Sequence, residues 1–213
     1  MSDLICNNYS ILQVMSRFDI SLGVGDKSVD EVCRENGVDT ATFLAIVNLL
    51  LHNNNRAYKV SLRGLVVEDL MKYLHNSHSY YLGFKLPSIR ESLIKTLEKG
   101  DISSLLIRYF DEYVEKVKVH LRYEEDQVFP YVERLSEANK EGDFSIDLFC
   151  AIHDNIDEPL TEFRNLIIKY YTGSSSYEIT TIICDLLDCA SDLMIHNLVE
   201  DKLLVPLIKS MED

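Results

Sequence analysis

The chain has 213 residues and a formal net charge of −14. That balance excludes a nucleic-acid partner, because neutralising phosphates takes a basic surface, and it excludes binding to an anionic membrane surface for the same reason. At 46% hydrophobic the sequence can fill one medium domain, or a small and a medium one, provided that helices pack face to face.

No apolar run approaches the roughly 20 residues of a membrane span. The opening stretch Met1–Cys6 has no basic region and no long apolar segment, so it does not read as a secretory signal and the expected location is cytoplasmic. The cysteines are Cys6, Cys33, Cys150, Cys184 and Cys189; their number is odd and no Cys-x-x-Cys occurs. They predict buried thiols rather than a disulfide framework or a structural zinc site.

Apolar residues recur at spacings of three and four nearly throughout, and no segment alternates with period two. The fold class predicted is all-α: an antiparallel four-helix bundle preceded by a small helical N-terminal domain. That domain spans 1–55. Ser28-Val-Asp-Glu31 reads as a capping box, and Gly37 suits the left-handed position that ends the short helix after it. A second helix over about 40–52 carries the apolar run Phe43–Leu51. This run exceeds what so small a unit buries alone, so it predicts packing on the bundle or on a second copy, as a homodimer through this domain. Asn53-Asn-Asn55 marks the boundary, and 56–64 is a linker.

The bundle is expected over 65–213. Its helices run from about 65 to 98, from about 102 to 138, from Ser145 to about Thr172, and from about 177 to 211. Connections of this length favour up-down-up-down packing.

Two of these helices share a pattern. His120-Leu-Arg-Tyr-Glu124 leads to Phe129-Pro130, and His196-Asn-Leu-Val-Glu200 leads to Val205-Pro206. The glutamate follows the histidine by four residues and the proline by ten. Residues i and i+4 share a helix face, so an imidazole and a carboxylate project together, twice. The other helices also carry histidines: His75 and His78 in the first and His153 in the third. His52 lies outside the bundle and is expected to be exposed. Several imidazoles with two glutamates exceed the needs of one tetrahedral zinc. They suit two octahedral first-row metals sharing bridging carboxylates, with iron the first choice and manganese the second. Glu125 and Asp126 are expected to face solvent. Tyr80-Tyr81 and Tyr170-Tyr171 are read as packing and helix-end residues, and the prolines as kinks or helix ends.

The residues Tyr73-Leu-His75-Asn-Ser-His78, His120–Pro130, Ile152-His153-Asp154 and His196–Pro206 resemble a hemerythrin-like di-iron domain. With the N-terminal unit, the whole chain resembles the RIC proteins (repair of iron centres, of the YtfE/ScdA type). The resemblance implies His75, His120, His153 and His196 as iron ligands and Glu124 and Glu200 as bridging carboxylates of a non-haem site with two iron ions. It implies repair of iron–sulfur proteins damaged by nitrosative or oxidative stress, with those proteins as partners and the chain as iron donor. The alternative it allows is an O₂- or NO-binding sensor. An oxidase or NO-reducing enzyme ranks behind both, since no substrate-pocket signature is visible.

Two departures stand out. The stretch Phe18–Asp26 keeps the family's glycines but lacks its adjacent cysteine pair, and Ile94–Gly100 lacks a further histidine that the family carries. The second departure leaves one coordination position open or water-filled, or gives it to His78.

Overall fold

The computed structural model describes residues 1–52, 61–98, 100–136, 145–152, 156–173 and 177–212. Among them there is no strand, and the fold is all-α. The helices are α1 (Ser2–Asn7), α2 (Ile11–Arg17), α3 (Val29–Glu35), α4 (Thr40–Leu51), α5 (Val67–Tyr80), α6 (Leu86–Thr96), α7 (Asp101–Tyr123), α8 (Phe129–Ser136), α9 (Ile146–Ile152), α10 (Glu158–Tyr170), α11 (Tyr177–Val199) and α12 (Val205–Glu212). π-helical turns join α5 to α6 (Tyr81–Lys85), α7 to α8 (Glu124–Val128) and α11 to α12 (Glu200–Leu204). Three of the four bundle helices expected from the sequence are therefore continuous rods. The third is α9 followed by α10, and residues 153–155 between them lie outside the described set.

The described chain groups into two compact units. One comprises Met1–Ser77, Tyr131–Ile146 and Leu198–Asp213, the other His78–Pro130 and Asp147–Asn197. The expected boundary at Asn53–Asn55 and most of the linker lie outside the described residues.

In the first unit the local signals act as predicted. The Ser28 hydroxyl accepts from the Glu31 amide while the Glu31 carboxylate accepts from the Ser28 amide, and Gly37 sits at φ 67°. Asp39 caps α4 by accepting from the Thr42 amide at 2.7 Å. The apolar run of α4 is buried at Phe43, Ala45, Ile46, Val47 and Leu49. Part of its cover comes from α2 and α5: the Phe18 ring lies 5.9 Å from Phe43 and 5.7 Å from Tyr73. Polar contacts fix the same packing. The Val66 amide donates to Thr42 Oγ1 at 2.9 Å, and the Asn76 amide group donates to the Arg17 carbonyl at 2.6 Å. The buried Arg17 guanidinium donates to Ser77 Oγ at 3.1 Å. These contacts hold α5 at one rotation about its own axis, and that rotation decides which of its histidines is buried.

The second unit is a four-helix core. Leu86, Ile89 and Leu93 of α6 meet Leu106, Phe110, Val117 and Leu121 of α7, Leu160, Phe163 and Ile167 of α10, and Leu186 and Leu193 of α11. Phe163 stacks on Tyr109 at 5.7 Å and packs tilted on Phe110 at 5.3 Å. The Tyr113 hydroxyl donates to the Ile156 carbonyl at 3.0 Å, and burial pushes this phenol far above its ordinary pKa. Ion pairs tie the rim, Lys85 to Asp185 at 2.7 Å and Arg90 to Asp111 at 2.6 Å.

Two expectations are corrected here. Pro130 and Pro206 do not end their helices, which run on past them. A proline has no amide hydrogen to give and clashes with the carbonyl four residues back. A wider π turn just before it moves that carbonyl away, so the rod continues. The thiols are also not uniformly buried: Cys33 and Cys189 are, whereas Cys6, Cys150 and Cys184 are exposed. Burial raises the Cys33 thiol to about 11, which keeps it protonated and unreactive near neutrality. A disulfide reagent added to native protein is expected to react promptly with Cys6, Cys150 and Cys184 and to reach Cys33 and Cys189 only after unfolding. Prompt labelling of Cys33 would contradict this packing. Among the described residues, no helix is long and apolar enough to cross a membrane.

Candidate metal centre

The first histidine–glutamate pair lies on the inner face of α7. His120 Nε2 is 2.8 Å from Glu124 Oε1, one helical turn on. The other oxygen of the same carboxylate, Oε2, is 3.1 Å from His78 Nε2, which comes from α5. Glu124 thus presents each oxygen to a different imidazole, at 1% exposure. Burial by itself would raise this carboxyl, but hydrogen bonds to His120 and His78 and their charge outweigh it and hold the carboxyl well below the usual carboxylate range.

The second pair is buried more completely. His196 and Glu200 are both 0% exposed. His78, Glu124, His196 and Glu200 each offer one ligand atom, and these atoms all lie within 4.8 Å of one another. Aromatic rings pack the imidazoles: Phe129 stacks on His78 at 5.4 Å, His196 meets His78 edge-on at 5.1 Å, and Tyr81 meets His196 edge-on at 5.7 Å. Nearby, Asn197 donates to Asp157 Oδ1 at 3.0 Å.

This donor set fits a metal on chemical grounds. Two carboxylates withdrawn from water and held this close repel one another unless positive charge stands with them. Imidazole and carboxylate together suit iron, manganese or another first-row ion, and the arrangement of Glu124 suits a carboxylate shared by two ions.

Two placements differ from the sequence expectations. His75, expected as the first-helix ligand, occupies an exposed position on α5, and His78 is the histidine that joins the cluster. The reason is rotational. Leu70, Leu74 and His78 are spaced by four along the buried stripe of α5, and His75 is off it. That periodicity was available as a signal in the sequence. Glu125, expected in solvent, is half-buried and accepts at 2.6 Å from His78 Nδ1. The π turn that begins at Glu124 alters the angle at which the next residue leaves the helix, and it brings Glu125 round to α5. Asp126 is exposed, as is His52, as expected. His153, the expected third-helix ligand, lies outside the described residues.

The Glu125 contact has a chemical role. With a metal bound, a carboxylate on Nδ1 would keep the proton there and leave the Nε2 lone pair for the ion. Glu125→Gln is expected to weaken metal binding by about 10- to 100-fold, the usual cost of losing such an outer partner, with the helical fold intact. Competition against a chelator of known affinity measures it, and an unchanged dissociation constant would show that Glu125 does not orient His78.

Among known families, the profile described as hemerythrin HHE cation binding domain matches residues 83–208. That segment covers more than half of the chain and includes His120, Glu124, His196 and Glu200. Searches of curated proteins and of solved structures returned no match.

Proposed function

Since the chain belongs to the hemerythrin family of HHE cation-binding domains, we propose that it holds two non-haem iron ions and serves as an iron donor in the repair of damaged iron–sulfur proteins. The observation that carries the dinuclear reading is the double engagement of Glu124, one oxygen at His78 and the other at His120. His78, His120 and His196 would supply nitrogen donors, and Glu124 and Glu200 oxygen donors. His78 takes the place first expected of His75. Iron bound here would supply a redox-active centre able to accept a small ligand, whereas the chain's own groups set its charge and exclude water from it.

The donor role draws on the resemblance to RIC proteins and on the chemistry of the ligands. Histidine binds metal only when deprotonated, so iron held by three imidazoles is released by protonation. The absence of the cysteine pair from Phe18–Asp26 leaves delivery to the histidine–glutamate cluster itself.

The burial of His78, Glu124, His196 and Glu200 favours a second reading, in which the iron stays and only a diatomic gas enters: an O₂- or NO-binding sensor. Protein loaded with iron without oxygen and mixed with an apo iron–sulfur protein separates the two. Movement of iron to the apo protein, with recovery of its cluster, supports donation. Reversible binding of O₂ or NO with both irons retained supports sensing and overturns donation.

A further inference from the structure

We propose that the phenol oxygen of Tyr81 is a third oxygen donor to the metal centre, beside Glu124 and Glu200; this rests on the metal reading above. Each π turn begins six residues before a proline: Tyr81 before Pro87, Glu124 before Pro130 and Glu200 before Pro206. In sequence, the remaining proline, Pro159, follows His153 by the same six residues. Every proline of the chain therefore marks one residue: Glu124 and Glu200 stand in the cluster, and His153 is the ligand that the family resemblance implies. Tyr81 is the fourth.

The structure bears out the equivalence where it is described. Tyr81, Glu124 and Glu200 open the same kind of turn and are buried alike, at 0, 1 and 0% exposure. The Tyr81 ring meets His196, itself in the cluster, edge-on at 5.7 Å. π turns concentrate at functional sites because they redirect a side chain that a regular helix would place elsewhere. Two of these three redirect carboxylates into the cluster, and the third redirects a phenol beside it.

A phenol is suited to the position. A buried tyrosine does not ionise without a compensating charge. The phenol would bind ferric iron as its phenolate, the O–H bond breaking and the proton leaving to solvent with no change of oxidation state, and the ion's charge would compensate the buried anion. The ordinary alternative, a tyrosine that only fills space in the apolar core, predicts no such bond.

The test compares wild-type protein with Tyr81→Phe, which keeps the ring and its packing, and with Tyr80→Phe as a neighbouring control. Each is loaded with iron anaerobically, oxidised in air, assayed for iron per chain, and examined by visible absorption and resonance Raman spectroscopy. Wild type and Tyr80→Phe are expected to show a phenolate-to-iron charge-transfer band with enhanced tyrosinate ring modes. Tyr81→Phe is expected to lose both while still binding iron. Iron bound by the wild type without tyrosinate modes, or modes that persist in Tyr81→Phe, overturns the inference alone. A wild type that takes up no iron overturns the metal reading and this inference with it.

Discussion

Glu124→Ala is expected to strip the centre of metal, with affinity for iron falling by more than the roughly 10- to 100-fold that loss of an outer partner costs. The carboxylate is placed against two imidazoles at once, His78 on one oxygen and His120 on the other. On the dinuclear reading, removing it would take one donor from each metal position together. It also takes from His78, which is buried, and from His120, which is partly exposed, the carboxylate that faces both. Iron per chain after anaerobic loading and desalting reports the effect. Glu115→Ala is the control, since Glu115 sits on the exposed face of α7, paired with Lys118 at 2.6 Å. Wild-type iron content in Glu124→Ala would place the metal elsewhere.

The largest expected loss of stability lies away from the metal. Phe163 is fully buried on α10 and touches both Tyr109 and Phe110 of α7. Phe163→Ala removes a ring that neighbouring backbones cannot close over, and such truncations cost about 3–5 kcal/mol. Denaturant unfolding of the metal-free protein is the measurement, because bound metal would add its own stabilisation. A change below about 1 kcal/mol would mean that the α7–α10 contact is looser than the ring geometry requires.

Much of this architecture is legible in the sequence, for reasons that differ by element. The bundle helices follow from three- and four-residue spacing, and their ends come within a few residues of where polar clusters and glycines place them. The pairs His120–Glu124 and His196–Glu200 are legible because four residues is one helical turn, a purely local relation. The choice between His75 and His78 is only partly local: the spacing of Leu70, Leu74 and His78 points to His78, and tertiary packing fixes it. Both lie on α5, and it is the packing of Arg17, Phe18 and Phe43 against Tyr73, Asn76 and Ser77 that turns one inward. Glu125 was misread for a related reason. The expectation of a solvent-facing side chain assumed an α-helical angle from Glu124, and the π turn supplies a different one. In sequence the prolines read as kinks or helix ends, and the third occurrence of the spacing, Tyr81 to Pro87, takes its meaning from the π turns. Beyond metal binding, donation and sensing draw on resemblance, because a cluster of imidazoles and carboxylates does not encode where its iron goes.

The π turns have a consequence for chain length. Removing one residue from a regular helix rotates everything after it by about 100°, which here would swing Val132 and Leu135, or Ile89 and Leu93, out of their cores. A π turn already holds one residue more than the α turn it replaces. Deleting exposed Asp126, Gly83 or Lys202 would let the coil close to an ordinary turn, with the apolar stripes on either side still facing the same way. These rods therefore have their slack at the level of the ligands. Shortening by one residue is absorbed there without unfolding, and what changes is the aim of Tyr81, Glu124, Glu125 or Glu200. Single-residue length changes in these turns would retune the metal centre while leaving the bundle standing.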